Sequence, residues 1–344
     1  MDAPTQNPMP PEQAPPPVPD VIQTVPDTIV PGSSGFGKVL FLVGLVVVAV
    51  VLLGSRSEAF QKVWEILSGH QLPAEGKPVA ASTPKLSEHV RQWIESQPPQ
   101  VQAEELLSDA INHDEGATDL IMQKLDAWYG QIKLTPKLTD LEMTALYSND
   151  LRVRAAAIEV TLVANELQKT PDTASRLIQM GEETVSNRPY AAWYLGMLAN
   201  RGVDTNDIHE RLVAWSHDPD EQTRFWAVEG LAHIGTDDTI TTFLDVFRSD
   251  PSDNVRERAG CSLAKSGMLT RAQRMQAVPG LIDLSADESL DAATHGWVFQ
   301  ALREITDESL PNDTTQWRMW YSQHGSERLS QFQQADRQYV LGNS

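Results

Sequence analysis

The chain has 344 residues and carries 47 acidic against 27 basic side chains, a formal net charge of −20. A surface of that sign repels a phosphate backbone unless basic residues gather on one face, and no basic cluster stands in the sequence, so a nucleic-acid partner is not expected. The lone cysteine, Cys261, excludes an intramolecular disulfide framework and a cysteine-based zinc site, and its place within a helical pattern makes it a small core residue.

Residues 1–37 form a leader with ten prolines and four acidic residues among its first 35 positions. Too little apolar surface is present there to offset chain entropy, which predicts disorder with polyproline II bias. Pro8 and Pro11 also give the P-x-x-P spacing of a docking motif. At residues 38–54 the composition changes abruptly: Val39 to Leu53 is free of polar side chains. Insertion into a bilayer is favoured by about 4–8 kcal/mol. Phe36 to Ser55 covers about 30 Å as a helix if Lys38 snorkels to the interface. A cleaved signal peptide fits less well, because the leader is long and acidic, although Ser57 to Ala59 resembles a cleavage site. A buried strand lacks a partner strand. A single uncleaved span, and hence contact with the lipid bilayer, is the expectation. Lys38 on one side against Arg56 and Lys62 on the other does not fix orientation by charge; a leader without basic residues crosses readily, but a single span ahead of one large domain argues for an extracytoplasmic, periplasmic soluble domain.

Residues 55–100 contain a juxtamembrane helix, with Ala59, Phe60, Val63, Trp64 and Leu67 at helical spacing, then a Gly/Pro/Ser-rich linker. A short helix around Ser87 to Gln97 ends at Pro98-Pro99.

Residues 101–325 carry a repeat. "DPDEQTRFWAVEGLAHIG", Asp218 to Gly235, returns 32 residues later as "DPSDNVRERAGCSLAKSG", Asp250 to Gly267. Each Asp-Pro pair is suited to N-cap a helix, Phe225, Val228, Leu231, Ala232 and Ile234 give it one apolar face, and Gly235 or Gly267 ends it. Ile240, Phe243, Leu244 and Phe247 face inward from a second helix. Weaker copies around Arg154, Tyr190 and Trp297 make five helix–turn–helix units of 32 to 39 residues, enough for a stack whose members cannot fold singly. With turn signals separating helical periods and no β pattern, the fold class is all-α, an α-solenoid. Asp313 with Gln316 predicts a capped closing helix whose Trp317 and Trp320 cover the end of the stack. Trp193, Trp226 and Trp297 are assigned to core packing, and residues 326–344 to a C-terminal tail.

The repeated pattern Asp-Pro-x-x-x-[Val/Thr]-Arg-x-x-Ala-x-x-x-Leu resembles the HEAT-like repeat of bacterial proteins and phycobilin lyases, over about residues 140 to 322. The resemblance implies a fold more than an activity. It also implies that the repeated arginines, Arg154, Arg224 and Arg256, pack or pair along the stack. An iron-dependent branch carries several His-Glu pairs; this chain has one, His209-Glu210.

Catalytic signatures are missing. There is no H-E-x-x-H, no G-x-S-x-G and no phosphate loop, so no enzyme activity, no cofactor or metal and no small-molecule substrate is expected. His209 and His217 are assigned to ordinary surface histidines, with a gathering of both beside Asp218 near one loop as the alternative. The function expected is a membrane-anchored adaptor or scaffold that binds a protein partner along a groove, with Thr239, Thr242, Asp245 and Arg248 on its second-helix side. Two other readings stay open: an enzyme or regulatory subunit with an unrecognised pocket, and a structural envelope or assembly component.

Overall fold

The computed structural model describes residues 85–341. The leader 1–37, the span at 38–54 and the juxtamembrane helix lie outside the described residues. Among the described residues no helix is long and apolar enough to cross a membrane, and no β-strand forms.

The helices, in chain order, are α1 (Glu88–Glu95), α2 (Pro99–Ile111), α3 (Ala117–Trp128), α4 (Pro136–Leu146), α5 (Leu151–Ala164), α6 (Pro171–Glu183), α7 (Arg188–Asn200), α8 (Thr205–Trp215), α9 (Glu221–Ile234), α10 (Thr239–Ser249), α11 (Asp253–Ala264), α12 (Arg271–Arg274), α13 (Val278–Leu284), α14 (Ala292–Thr306) and α15 (Thr314–Leu341). Their starts are written in the sequence. Thr135 and Thr170 each cap with the side-chain oxygen and precede a proline at the first helical position. Asp220 accepts from the Thr223 amide and Asp291 from the Thr294 amide. Such caps stabilise by about 1 kcal/mol each, because they satisfy amides that have no partner within the helix.

Inner helices α7, α9, α11 and α14 alternate along the chain with outer elements α8, α10, α12–α13 and α15. The two rows differ in sequence. α7 buries nine successive residues, Ala191 to Ala199, and α9 buries Trp226 to Ile234 without a break. Helices apolar on all sides need protein on all sides. The outer α8 and α10 bury one stripe each, Ile208, Leu212 and Trp215 in the first, and Ile240, Phe243, Val246 and Phe247 in the second. α7 and α9 touch backbone to backbone: a Cβ on Gly196 would lie 2.1 Å from the Gly230 carbonyl oxygen, and one on Gly230 would lie 2.4 Å from that of Ala192. At the far end of the inner helices Gly267, at φ 73, brings the chain close enough for the Met268 amide to donate to the Ala232 carbonyl at 2.8 Å. A Cβ on Gly267 would meet that same oxygen at 2.5 Å.

Several expectations need correction. Asp218 and Asp250 are not N-caps. α9 starts at Glu221 behind Asp220, and α11 at Asp253 behind Ser252. Each Asp-Pro aspartate instead accepts the amide two residues on, in a turn ahead of the helix, at 2.8 Å. α1 belongs to the packed body, since Ile94 is buried in the core. Residues 326–341 continue α15; Phe332 is buried, the Arg271 guanidinium lies 3.9 Å from its ring centre, and Asp336 accepts from the Ala272 amide. Asp313 caps α15 through the Thr315 and Gln316 amides as expected, with Trp317 fully buried and Trp320 packed beside it.

Candidate functional site

Three faces of the repeat stack carry polar residues, and each has a different use for them. Along the turn edge, arginines tie consecutive units together. Arg224 donates to the Asp218 carbonyl, six residues back in its own turn, at 3.0 Å. Its Nε and Nη2 hold the buried Asp250 carboxylate of the following unit at 2.8 and 3.1 Å. Arg256 repeats the arrangement, reaching back six residues to the Asp250 carbonyl at 2.7 Å and forward to Asp291 at 2.8 Å. Arg188 likewise binds Asp218. A two-pronged guanidinium fits this task because it bridges a carbonyl and a carboxylate at once. A cleft of about 310 Å³ opens along this edge, with His217, Asp218, Arg224 and Asp250 in its lining. The Arg224 and Asp250 side chains are committed to each other there.

The outer row is the exposed one. Of the four residues expected on a binding groove, Thr239 and Thr242 are buried. The Thr239 hydroxyl donates to the Thr236 carbonyl at 2.7 Å and so secures the start of α10. The helical period explains the misplacement: both threonines fall on the stripe of Ile240, Phe243 and Val246, not opposite it. Asp245 and Arg248 are exposed, with side-chain accessibilities of 57% and 61%. They stand in a ladder of surface pairs running from helix to helix: Arg211 with Glu182 at 2.7 Å, His217 with Asp245 at 3.8 Å, and Arg248 with Asp287 at 2.9 Å. His217 and Asp218 line the same cleft, and His209 does not join them. His209 faces Asp238 at 3.6 Å, His217 faces Asp245, and Asp218 is taken by Arg188.

The inner face is closed by the chain's own α4–α5 region. Glu159 of α5 meets Arg201, after α7, at 3.5 Å. The Tyr147 hydroxyl points to Glu229 of α9 at 3.5 Å, and the Arg258 guanidinium of α11 lies 5.6 Å from the Tyr147 ring centre. Arg154 of α5 makes the same six-back contact, to the Ser148 carbonyl, but then crosses to the turn after α11 and donates to the Lys265 carbonyl at 2.7 Å and to that of Gly267. Its alignment with Arg224 therefore holds for the local turn and fails for the partner.

Buried charge fills this face. Arg258 Nε stands 2.9 Å from Glu229 Oε1. Burial raises the Glu229 carboxyl while Arg258 pulls it back down. Burial also takes the His233 imidazole down to about 3, helped by Arg258 and Arg154, so this histidine is neutral at physiological pH. Burial likewise raises the Cys261 thiol, which keeps it protonated and poorly nucleophilic. Tyr147, Glu229, His233, Arg258 and Arg274 escaped the sequence analysis. The available signal was charge inside an apolar helix: Glu229 sits between Val228 and Gly230 on a helix that has no wet side. Among the described residues no group of three or more His, Cys, Asp or Glu is placed to hold a metal ion.

The chain matches no curated protein. Residues 173–264 match the HEAT repeats family. That match runs from α6 to α11, the units joined by Arg188, Arg224 and the Gly196–Gly230 contact, and with the helical architecture of the described residues it identifies HEAT-like repeats in this chain.

Proposed function

We propose that the chain is an adaptor or scaffold that binds another protein on the outer row of its HEAT-like repeats and performs no catalysis itself. The carrying observation is the contrast between rows: the inner face is filled by α4–α5, whereas α10 presents Thr241, Asp245 and Arg248 to solvent on a rigid backing. HEAT repeats commonly mediate protein interactions, and a rigid helical row lowers the ordering cost of binding. The apolar run at 38–54 anchors the protein in a bilayer, with the repeats on the extracytoplasmic side. The likeness to phycobilin lyases is one of repeat architecture. A lyase needs a chromophore pocket, and the inner face is occupied by the chain's own side chains.

The test places a photo-crosslinking residue at Thr241, Asp245 or Arg248 of the full chain in its native membrane, with Gln331 on α15 as control. One protein captured from the three α10 positions and not from Gln331 is the expected result. No capture at any of the three, with capture elsewhere on the chain, overturns the outer-row assignment. A reporter fused to the C-terminus tests the orientation: activity confined to the cytoplasm overturns the extracytoplasmic placement.

A further inference from the structure

Three arginines from three different helices converge on the turn after α11, in which Ser266 and Leu269 are buried and Lys265 is exposed. Arg154 donates to the carbonyls of Lys265 and Gly267, Arg258 Nη2 to the Ser266 hydroxyl at 2.8 Å, and Arg274 to the carbonyls of Ser266 and Leu269, both at 3.0 Å. These acceptors lie just past the C-terminus of α11, where helix carbonyls lack amide partners and the helix dipole presents its negative end. The turn thus explains the direction of the guanidinium groups. It does not balance their charge.

Arg154, Arg258 and Arg274 are only 3%, 4% and 6% exposed, and the one carboxylate buried among them is Glu229, at 2%. Glu304, the next acidic group near Arg274, holds Lys265 at 3.3 Å. Tyr147 is neutral, its hydroxyl raised well above the usual range by burial. Three buried cations therefore share one fully buried anion, with the half-buried carboxylates of Asp150 beside Arg154 and Glu257 beside Arg258 offsetting part of the excess. Arg274 Nη1, moreover, is buried and has no hydrogen-bond partner among the described residues. Desolvation first, and repulsion from a neighbouring guanidinium second, bring Arg154 down to about 10 and Arg274 to about 9. Buried guanidinium groups are costly unless paired with opposite charge.

We propose that the folded protein holds a small inorganic anion of the chloride class against Arg274 Nη1, between Arg154, Arg258 and the Lys265–Leu269 turn. A water molecule would satisfy the donor and leave the charge unbalanced; an anion satisfies the donor and offsets the charge. Arg154, Arg258 and Arg274 are each more than nine-tenths buried, which suits a monatomic ion better than a bulky phosphoester. The ion is a structural component that links α5, α11 and α12 and is taken up as the chain folds. It acts independently of any partner on the outer row.

The test uses the purified full chain. Thermal unfolding is followed at constant ionic strength in sodium gluconate, whose anion is too bulky for the site, with chloride or bromide substituted stepwise. A midpoint that rises and saturates, by about 5 °C, is expected because ligand bound only to the folded state stabilises it. Crystals grown in bromide should show anomalous scattering within about 3.5 Å of Arg274 Nη1. Arg274→Gln should abolish the halide dependence. If that variant does not fold, the wild-type comparison decides alone. Equal midpoints in gluconate and halide, or a bromide map with density at Nη1 that has no anomalous signal, overturns the proposal.

Discussion

The inner helices α7 and α9 and the outer helices α8 and α10 come from the same repeat, yet they handle polar residues in opposite ways. Glu229 and His233 on α9 are buried and face arginines brought in from α5 and α11, whereas Asp245 and Arg248 on α10 make exposed pairs with neighbouring outer elements. In water an exposed pair contributes little to stability, typically less than 1 kcal/mol. A buried one decides whether the surrounding helices can pack at all. The inner row therefore carries the fold, and the outer row is free to change with a partner.

The contrast can be broken at several points. The largest effect is expected at the turn edge, where Arg224→Met strands the Asp250 carboxylate in the interior. A loss of about 4 kcal/mol should appear in urea unfolding of the full chain followed by helical circular dichroism. Adding Asp250→Asn should return much of that loss, since the stranded charge is gone. Next comes the backbone contact between α7 and α9. Gly230→Val drives a side chain into the Ala192 carbonyl and should cost about 3 kcal/mol by the same measurement.

Acidification sharpens the comparison by region. His233 has a folded-state pKa of about 3, below its ordinary value of 6.5. The unfolded chain then binds the proton first, so the inner row loses stability as pH falls below about 6.5. Asp109 on α2 has the opposite sign. Burial, with Asp114 and Glu105 nearby, raises it to about 6 from 3.8, so its folded form takes up the proton first and its region gains stability as pH falls through that window. Hydrogen exchange compared at pH 7 and pH 5, with intrinsic rates corrected, should show α9 less protected and α2 more protected at the lower pH. His233→Gln and Asp109→Asn should each remove one of the two trends. The smallest effect is reserved for the outer row: Asp245→Ala and Arg248→Ala should each change stability by less than about 0.5 kcal/mol, while weakening capture of a partner.

Local chemistry was legible in the sequence and long-range chemistry was not. The αL glycine that ends α9 at 235, the Asp313 cap and the buried Trp317 follow from spacing within one or two turns and are found in place, whereas α11 ends at Ala264 and Gly267, though αL, stands three residues beyond it. The repeated arginines follow too, because each reaches a carbonyl six residues back. What an arginine does with its other nitrogens depends on which unit lies beside it. Arg224 finds Asp250, but Arg154, at the same position in its own repeat, finds a turn more than a hundred residues away. No periodicity encodes that crossing. The same limit explains the misassigned groove: two of the four chosen residues, Thr239 and Thr242, are small polar side chains that pass for surface residues until the phase of α10 is fixed by its neighbours.

Closure of the inner face by α5 is tested most directly by a distance. Spin labels on Arg152→Cys and Lys265→Cys, in a Cys261→Ser background, report the separation between the start of α5 and the turn after α11 by pulsed electron resonance. Because Arg154 bonds the Lys265 carbonyl, a distribution centred below about 25 Å is expected once label length is included, in line with helices packed 8–10 Å apart. A distribution centred beyond about 35 Å, as in an open row with α5 at one end, would contradict a closed inner face and return the groove to the inner helices.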